Sequence, residues 1–150
     1  MTQLKIRPIA LCILRHSDRI LVFEGYDSTK RQTFYRPLGG GIEFGETGAE
    51  AVVREMREEI KAEITDVKFM GSLENIFTGE GKLGHEIVLI YAARFVDETL
   101  YDRQNFDGAE DDGTAIRVLW QRLATFGSSC HLYPDGLLKL LKETSSHLQR

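Results

Sequence analysis

Between Gly39 and Glu63 the chain reads GGGIEFGETGAEAVVREMREEIKAE and crowds three acids, Glu55, Glu58 and Glu59, into five positions. On a helix turning about 100° per residue they share an arc of roughly 100°. Like charges one turn apart cost roughly 0.2–0.5 kcal/mol per pair, so something must offset the crowding. Oxygen-rich carboxylate sets suit a hard divalent cation, Mg²⁺ or Mn²⁺.

The helix that carries these acids must also pack. Ala49, Val52, Val53, Met56 and Ile60 fall in one apolar stripe. The three glutamates lie on its shoulder, and Arg54, Arg57, Glu50 and Lys61 take the opposite flank, with Arg54 in i+4 reach of Glu58 alone. A solvated acidic face is the ordinary role of a glutamate-rich helix, but it interleaves the two signs, whereas this one segregates them. Thr47 followed by Glu50 is a capping-box pattern, which predicts a helix running to about Lys61. Gly39, Gly40 and Gly41 leave backbone groups free to face a ligand or metal, although a bulge or tight bend explains such a triplet equally well.

Around this helix the alternation of apolar residues sets the frame. Residues 5–14 predict a strand buried on both faces, and RHSD then turns the chain into a partner strand, RILVFEG. TFYRPLGGGIEF reads as short extended pieces broken by Pro37 and the glycines. DVKFMGSLENIFT and HEIVLIYAARFV predict a second hairpin about GEGKLG. Residues 97–114 read as a long acidic loop, IRVLWQ as a strand, and YPDGLLKLLKETSSHL as a closing helix with Pro134 in its first turn. The class is α/β or α+β, a mixed sheet between helices.

With 150 residues the expectation is one domain spanning 1–150. Nineteen basic against 23 acidic residues give a net charge of −4, so no broad positive field gathers nucleic acid or anionic lipid. Cys12 and Cys130 form no CxxC pair, which fits a reducing cytoplasm. The apolar run IALCIL is too short for a signal peptide or membrane span. Any anionic substrate therefore needs local cations, and a homodimer is open as the assembly.

Gly40, five residues, Glu46, seven residues, then Arg54-Glu55-Met56-Arg57-Glu58-Glu59 resembles the signature of the Nudix hydrolase family. Six fixed identities at roughly 7% background each coincide about once in ten million starting points. The resemblance implies an α/β/α sandwich with a mixed sheet, and hydrolysis of a nucleoside diphosphate linked to another moiety. It further implies that Glu55, Glu58 and Glu59 bind Mg²⁺ with the Gly40 carbonyl, that Glu46 supports the site, and that Arg54 orients a catalytic glutamate. Glu55 and Glu59 are both candidates for the base.

Where the family pattern has a glycine that ends the helix, this chain has Lys61, which is expected to let the helix run slightly further. Outside the motif, Glu86 is a candidate further metal ligand, and His85 beside it a candidate phosphate contact. Glu110, Asp111 and Asp112 offer either a mobile base or a solvated acidic loop. Lys30, Arg31 and Arg36 supply local cations for an anionic substrate. Phe34 and Tyr35 are candidates for stacking on a base, although strand alternation buries one of them. Subfamily marks for ADP-ribose, dinucleoside polyphosphates, coenzyme A and NADH are missing, so the substrate class is a nucleoside di- or triphosphate or a nucleotide sugar. The competing reading is a non-catalytic nucleotide-sensing or protein-binding module on the same fold, which the presence of Glu46, Glu55, Glu58 and Glu59 argues against.

Overall fold

The computed structural model describes the backbone of residues 4–148 and the side chains of residues 4–144. The predicted first hairpin is present as β1 (Ile6–His16) and β2 (Arg19–Asp27), paired only next to the turn, at Arg15↔Ile20 and His16↔Arg19. Beyond that point the strands diverge. β1 pairs in parallel with β6 (Lys82–Phe95) and antiparallel with β4 (Leu38–Gly41), while β2 pairs with β3 (Gln32–Arg36) and β8 (Ala115–Arg122). β5 (Ile64–Gly79) flanks β6 as the expected second hairpin, β7 (Asn105–Ala109) flanks β8, and β9 (His131–Leu132) runs parallel to β3. Two parallel pairings among antiparallel ones make this a mixed sheet.

β1 explains why helices cover both faces. Its even residues, Ala10, Cys12 and Leu14, enter one core with Val52, Met56 and Ile60 of helix α1 (Gly48–Ile60). Its odd residues, Ile9, Leu11 and Ile13, enter a second core with Leu137 and Leu141 of helix α2 (Leu137–Leu148). A strand with apolar residues at every position demands this double covering, and each fully buried Leu or Ile contributes about 1.5–3 kcal/mol. The result is the predicted α/β/α sandwich.

Four local expectations change. The buried face of α1 comprises Gly48, Ala51, Val52, Glu55, Met56, Glu59 and Ile60, so Ala51 replaces Ala49, and two of the three glutamates lie within the buried face rather than on its shoulder. The helix stops at Ile60, because Lys61 adopts the left-handed conformation (φ 55°, ψ 39°) and donates its N–H to the Arg57 carbonyl at 3.0 Å. Lysine thus occupies the place where glycine is the low-cost residue.

Residues 97–114 are not one loop. A 3₁₀ turn spans Glu98–Asp102, capped by the Asp97 carboxylate, and β7 follows. β7 is anchored by Phe106, which packs on Phe95 and Trp120. Pro134 lies ahead of α2, its carbonyl accepting from the Leu137 N–H at 3.1 Å.

Candidate active site

Helix α1 delivers its acids to the glycines of β4. Its start is fixed by the capping box, with Thr47 Oγ1 accepting from the Glu50 N–H at 3.1 Å and Glu50 Oε1 accepting from the Thr47 N–H at 3.1 Å. Residues i and i+4 share a helix face, so Glu55 and Glu59 turn the same way. Gly39 donates its N–H to Glu59 Oε1 at 2.9 Å. A Cβ on Gly40 would stand 2.7 Å from Glu55 Oε1, and one on Gly39 (φ 145°) would strike the Ala10 carbonyl oxygen. Both positions therefore require glycine for close approach.

Arg54 binds the acids together. Its Nε and Nη2 meet Glu46 Oε2 and Oε1 at 2.8 and 2.9 Å, a two-point fork, and Nη2 also donates to the Gly41 carbonyl at 2.9 Å. Nη1 donates to Glu55 Oε1 at 3.0 Å and to Glu58 Oε2 at 3.2 Å. The flanking arginine thus reaches two of the clustered glutamates, not only Glu58, because its long stem curls back over its own turn.

The electrostatics differ from one carboxylate to the next. The Arg54 fork holds the Glu46 carboxyl down at about 2. Glu55 is 3% exposed, and burial pushes its carboxyl up against the pull of Arg54. Glu59, 6% exposed, is pushed up to about 8 by burial and by the neighbouring Glu55 charge, against the Gly39 N–H. Two buried acids within hydrogen-bond reach of each other and only partly compensated leave a local excess of negative charge.

That excess fits a hard cation. Glu55, Glu58 and Asp111 each present an oxygen, and the three oxygens lie within 4.8 Å of one another. Glu55 and Asp111 line a groove together with Gly39, Gly40, Gly41, Glu59, Glu110, Asp112, Arg7 and Arg36. Of the three acids in the turn between β7 and β8, Asp111 is thus the one that joins the helix glutamates. It comes from the segment read as a loop, and its only sequence signal was the run Glu110-Asp111-Asp112.

A second cavity of about 130 Å³ adjoins the groove and is walled by Phe34, Phe77 and Tyr133. Arg36 lines both cavities. Of the aromatic pair, Phe34 enters this second cavity, while Tyr35 points into the α2 core against Phe126 and is not a stacking residue for it. His85 sits on the outer face of β6, level with Ile6 and Ile76, away from both cavities. Glu86, directly after it, turns inward to the second cavity and approaches Arg7 at 3.8 Å. It does not join the oxygens of Glu55, Glu58 and Asp111.

An acidic helix seated on a glycine strand, in a mixed sheet covered by one helix on each face, defines the class as an α/β/α fold with a carboxylate-lined groove. The NUDIX domain model matches residues 5–130, and the chain belongs to the Nudix family, as a pyrophosphohydrolase of that family. Enzymes of this family generally use divalent metals. Solved structures with the same fold include a NUDIX hydrolase from Nitrosomonas europaea, 14% identical with a TM-score of 0.66, matching 95% of this chain and 90% of that one. A MutT NUDIX hydrolase from Burkholderia pseudomallei is 18% identical with a TM-score of 0.64, over 91% and 97% of the two chains. An ADP compounds hydrolase is 16% identical with a TM-score of 0.65, over 99% and 77%. No curated protein sequence matches.

Proposed function

We propose that residues 1–150 act as one domain that hydrolyses the phosphoanhydride of a nucleoside diphosphate linked to another moiety, a nucleoside di- or triphosphate or a nucleotide sugar, with Mg²⁺ or Mn²⁺. The observation that carries this reading is the convergence of Glu55, Glu58 and Asp111 oxygens within 4.8 Å beside the side-chain-free Gly40. These three acids, with the Gly40 carbonyl, would hold the cation. When bound, it supplies charge neutralisation at phosphate oxygens and acidifies a water.

The protein's own groups do the rest. Arg7 and Arg36 line the groove and bind the anionic phosphates, which the overall charge of −4 would otherwise repel. Arg54, held by Glu46, fixes the rotamers of Glu55 and Glu58. Glu59, steadied at Oε1 by the Gly39 N–H, accepts the water's proton at its other oxygen. Among the described residues no helix is long and apolar enough to cross a membrane, and we place the activity in the cytoplasm, on free nucleotides rather than nucleic acid.

The test is a Mg²⁺-dependent screen against nucleoside di- and triphosphates, ADP-ribose, nucleotide sugars and dinucleoside polyphosphates. Release of a nucleoside monophosphate or of phosphate from at least one, lost in Glu59→Gln, is the expected result. Undiminished turnover in that variant would sink the assignment of the base.

A further inference from the structure

Helix α1 leaves part of its own side of the sheet bare. It covers that side only as far as Ala10 on β1 and Tyr91 on β6. Side chains alternate along a strand and match across paired positions. Ile6 on β1, Leu83, His85, Ile87 and Leu89 on β6, and Ile76 on β5 therefore continue the same side beyond the helix. The pairings Ile6↔His85, Ile76↔His85 and Thr78↔Leu83 set them side by side. Leu4, just ahead of β1, lines one shallow groove with Ile6, Leu83 and His85. Phe69 closes the far end of the strip, its ring 5.6 Å from that of Tyr91.

The strip is apolar and continuous. Leu4, Ile6, Phe69, Ile76 and Leu83 are each between 59% and 78% exposed, and Ile87 and Leu89 between them are half-buried and belong to neither core. On the other side of the same strand, Val88 and Ile90 are fully buried in the core that α2 covers. The β5–β6 hairpin is thus apolar on both faces and covered on one, whereas strands of this kind occur where both faces are covered. At roughly 100 Å² per exposed side chain, the five outer residues alone present roughly 500 Å² of apolar surface. That is near the upper end of what soluble monomers leave contiguous, and is one partner's share of the ~1,000 Å² that a specific interface must clear.

We propose that this strip is a dimer interface and that its occupant is the same strip of a second copy of the chain, packed face to face about a two-fold axis. Two twisted sheet faces pack in this way about 10 Å apart. The proposal stands apart from the chemistry of the groove.

Charge selects the occupant. By register no lysine or arginine shares the strip, and its polar groups are Glu74 on β5, opposite Ile87, and His85 on β6, opposite Ile76. The two stand diagonally across the hairpin, and among the described residues neither has a hydrogen-bond or ion-pair partner. A two-fold axis lets residue i of one copy meet residue j of the other and the reverse, so Glu74 of each copy meets His85 of its mate. An imidazole N–H donates to a carboxylate in either of its charge states. A foreign protein would need both the apolar shape and the reversed pair, whereas a second copy supplies both by symmetry. An anionic lipid surface is disfavoured by the net charge of −4.

The experiment is sedimentation equilibrium of the full chain over about 1–100 µM, where interfaces of modest area associate. The wild-type protein should reach twice the 17.0 kDa of one chain. Ile76→Lys and Leu83→Lys each enter the interface twice and bring like charges together, so either should weaken association at least about 100-fold while the circular dichroism spectrum is kept. Val96→Lys, at an exposed apolar residue outside the strip, should leave the dimer intact. Glu74→Lys should also weaken association, and Glu74→Lys combined with His85→Glu, which restores an opposite pair the other way round, should recover it. A monomer at every concentration overturns the proposal, and co-sedimentation of that monomer with phosphatidylcholine vesicles would give the strip to a membrane instead. A dimer that survives Ile76→Lys and Leu83→Lys overturns it too, placing the interface elsewhere, for instance at the free edge of β5. Failure of the double variant to recover the dimer overturns the two-fold pairing of Glu74 with His85.

Discussion

Arg54 grips Glu46 at two points, Nε to Oε2 at 2.8 Å and Nη2 to Oε1 at 2.9 Å, across eight residues of sequence. The same guanidinium spends its remaining donors on Glu55, Glu58 and the Gly41 carbonyl. Only a planar fork with several fixed donors can do this, and a lysine ammonium cannot. Arg54→Lys is therefore expected to lower kcat by about 10–100-fold, the usual effect of losing a group that orients metal ligands. Steady-state kinetics at saturating Mg²⁺ would check this, and an unchanged kcat would show that Glu55 and Glu58 need no holding.

Glu46 and Glu59 should give opposite pH dependences of stability in metal-free protein. The Glu46 carboxyl falls from the ordinary 4.5 to about 2 in the fold, so its contribution is present above pH 4.5 and is lost as pH drops towards 2. The Glu59 carboxyl rises from 4.5 to about 8, so its contribution is complete below pH 4.5 and is lost as pH rises through 8. Denaturation midpoints measured across this range should show Glu46→Gln flattening the acid limb and Glu59→Gln flattening the limb between pH 4.5 and 8.

Adding one methyl group at Gly40 should disable the site with little harm to the fold. The new Cβ would meet the Glu55 carboxylate at 2.7 Å, and the carboxylate must swing away from Arg54 and from its acidic neighbours. A misplacement of about 1 Å costs on the order of 10²-fold in rate. Gly40→Ala should therefore keep a wild-type circular dichroism spectrum while losing activity and the rise in Tm with Mg²⁺. Retention of both would remove Gly40 from the site.

Asp111 is the acid of its turn that groups with Glu55 and Glu58. Asp111→Asn should weaken the Mg²⁺-dependent rise in Tm by about tenfold in apparent affinity, in the range found for altered metal surroundings. Glu110→Gln and Asp112→Asn should do much less. Equal effects from all three would mean that the turn acts only through its overall charge.

Lys61→Gly is expected to stabilise the protein. A side chain in the left-handed conformation costs about 1–2 kcal/mol, and glycine returns about 0.4–1 kcal/mol of that as extra freedom of the unfolded chain. The net gain, about 0.5–1 kcal/mol, should appear as a higher urea midpoint with the m-value unchanged. A lower midpoint would mean that the lysine side chain holds the helix end through some other contact.

The glutamate helix, both hairpins and the α/β/α layering were legible because each rests on local periodicity: the double-faced β1, the capping box at Thr47 and Glu50, the alternation in β5 and β6. The stop at Lys61 was not, because the αL turn there is set by the chain leaving the helix, with the Ala62 N–H reaching back to the Met56 carbonyl at 3.3 Å. β7 was hidden because Phe106 is its one buried residue, too few for a period of two. Tyr35 and Phe34 could not be told apart until β3 had a partner on each side. Glu86 did leave a trace, since it stands at the head of the inward-facing apolar pair Val88 and Ile90 on β6.

Asp111 stands on a short turn that carries no residue of either core, whereas Glu55 and Glu58 stand on a helix locked at both ends. Affinity for a cation and durability of the scaffold are thereby separable inheritances. If the proposed cation site is real, a lineage can shorten, recharge or discard the turn and retune that site in a single step, while any comparable change on α1 puts the whole architecture at risk. Divergence among descendants of this chain should accordingly accumulate in the turn long before it touches the helix.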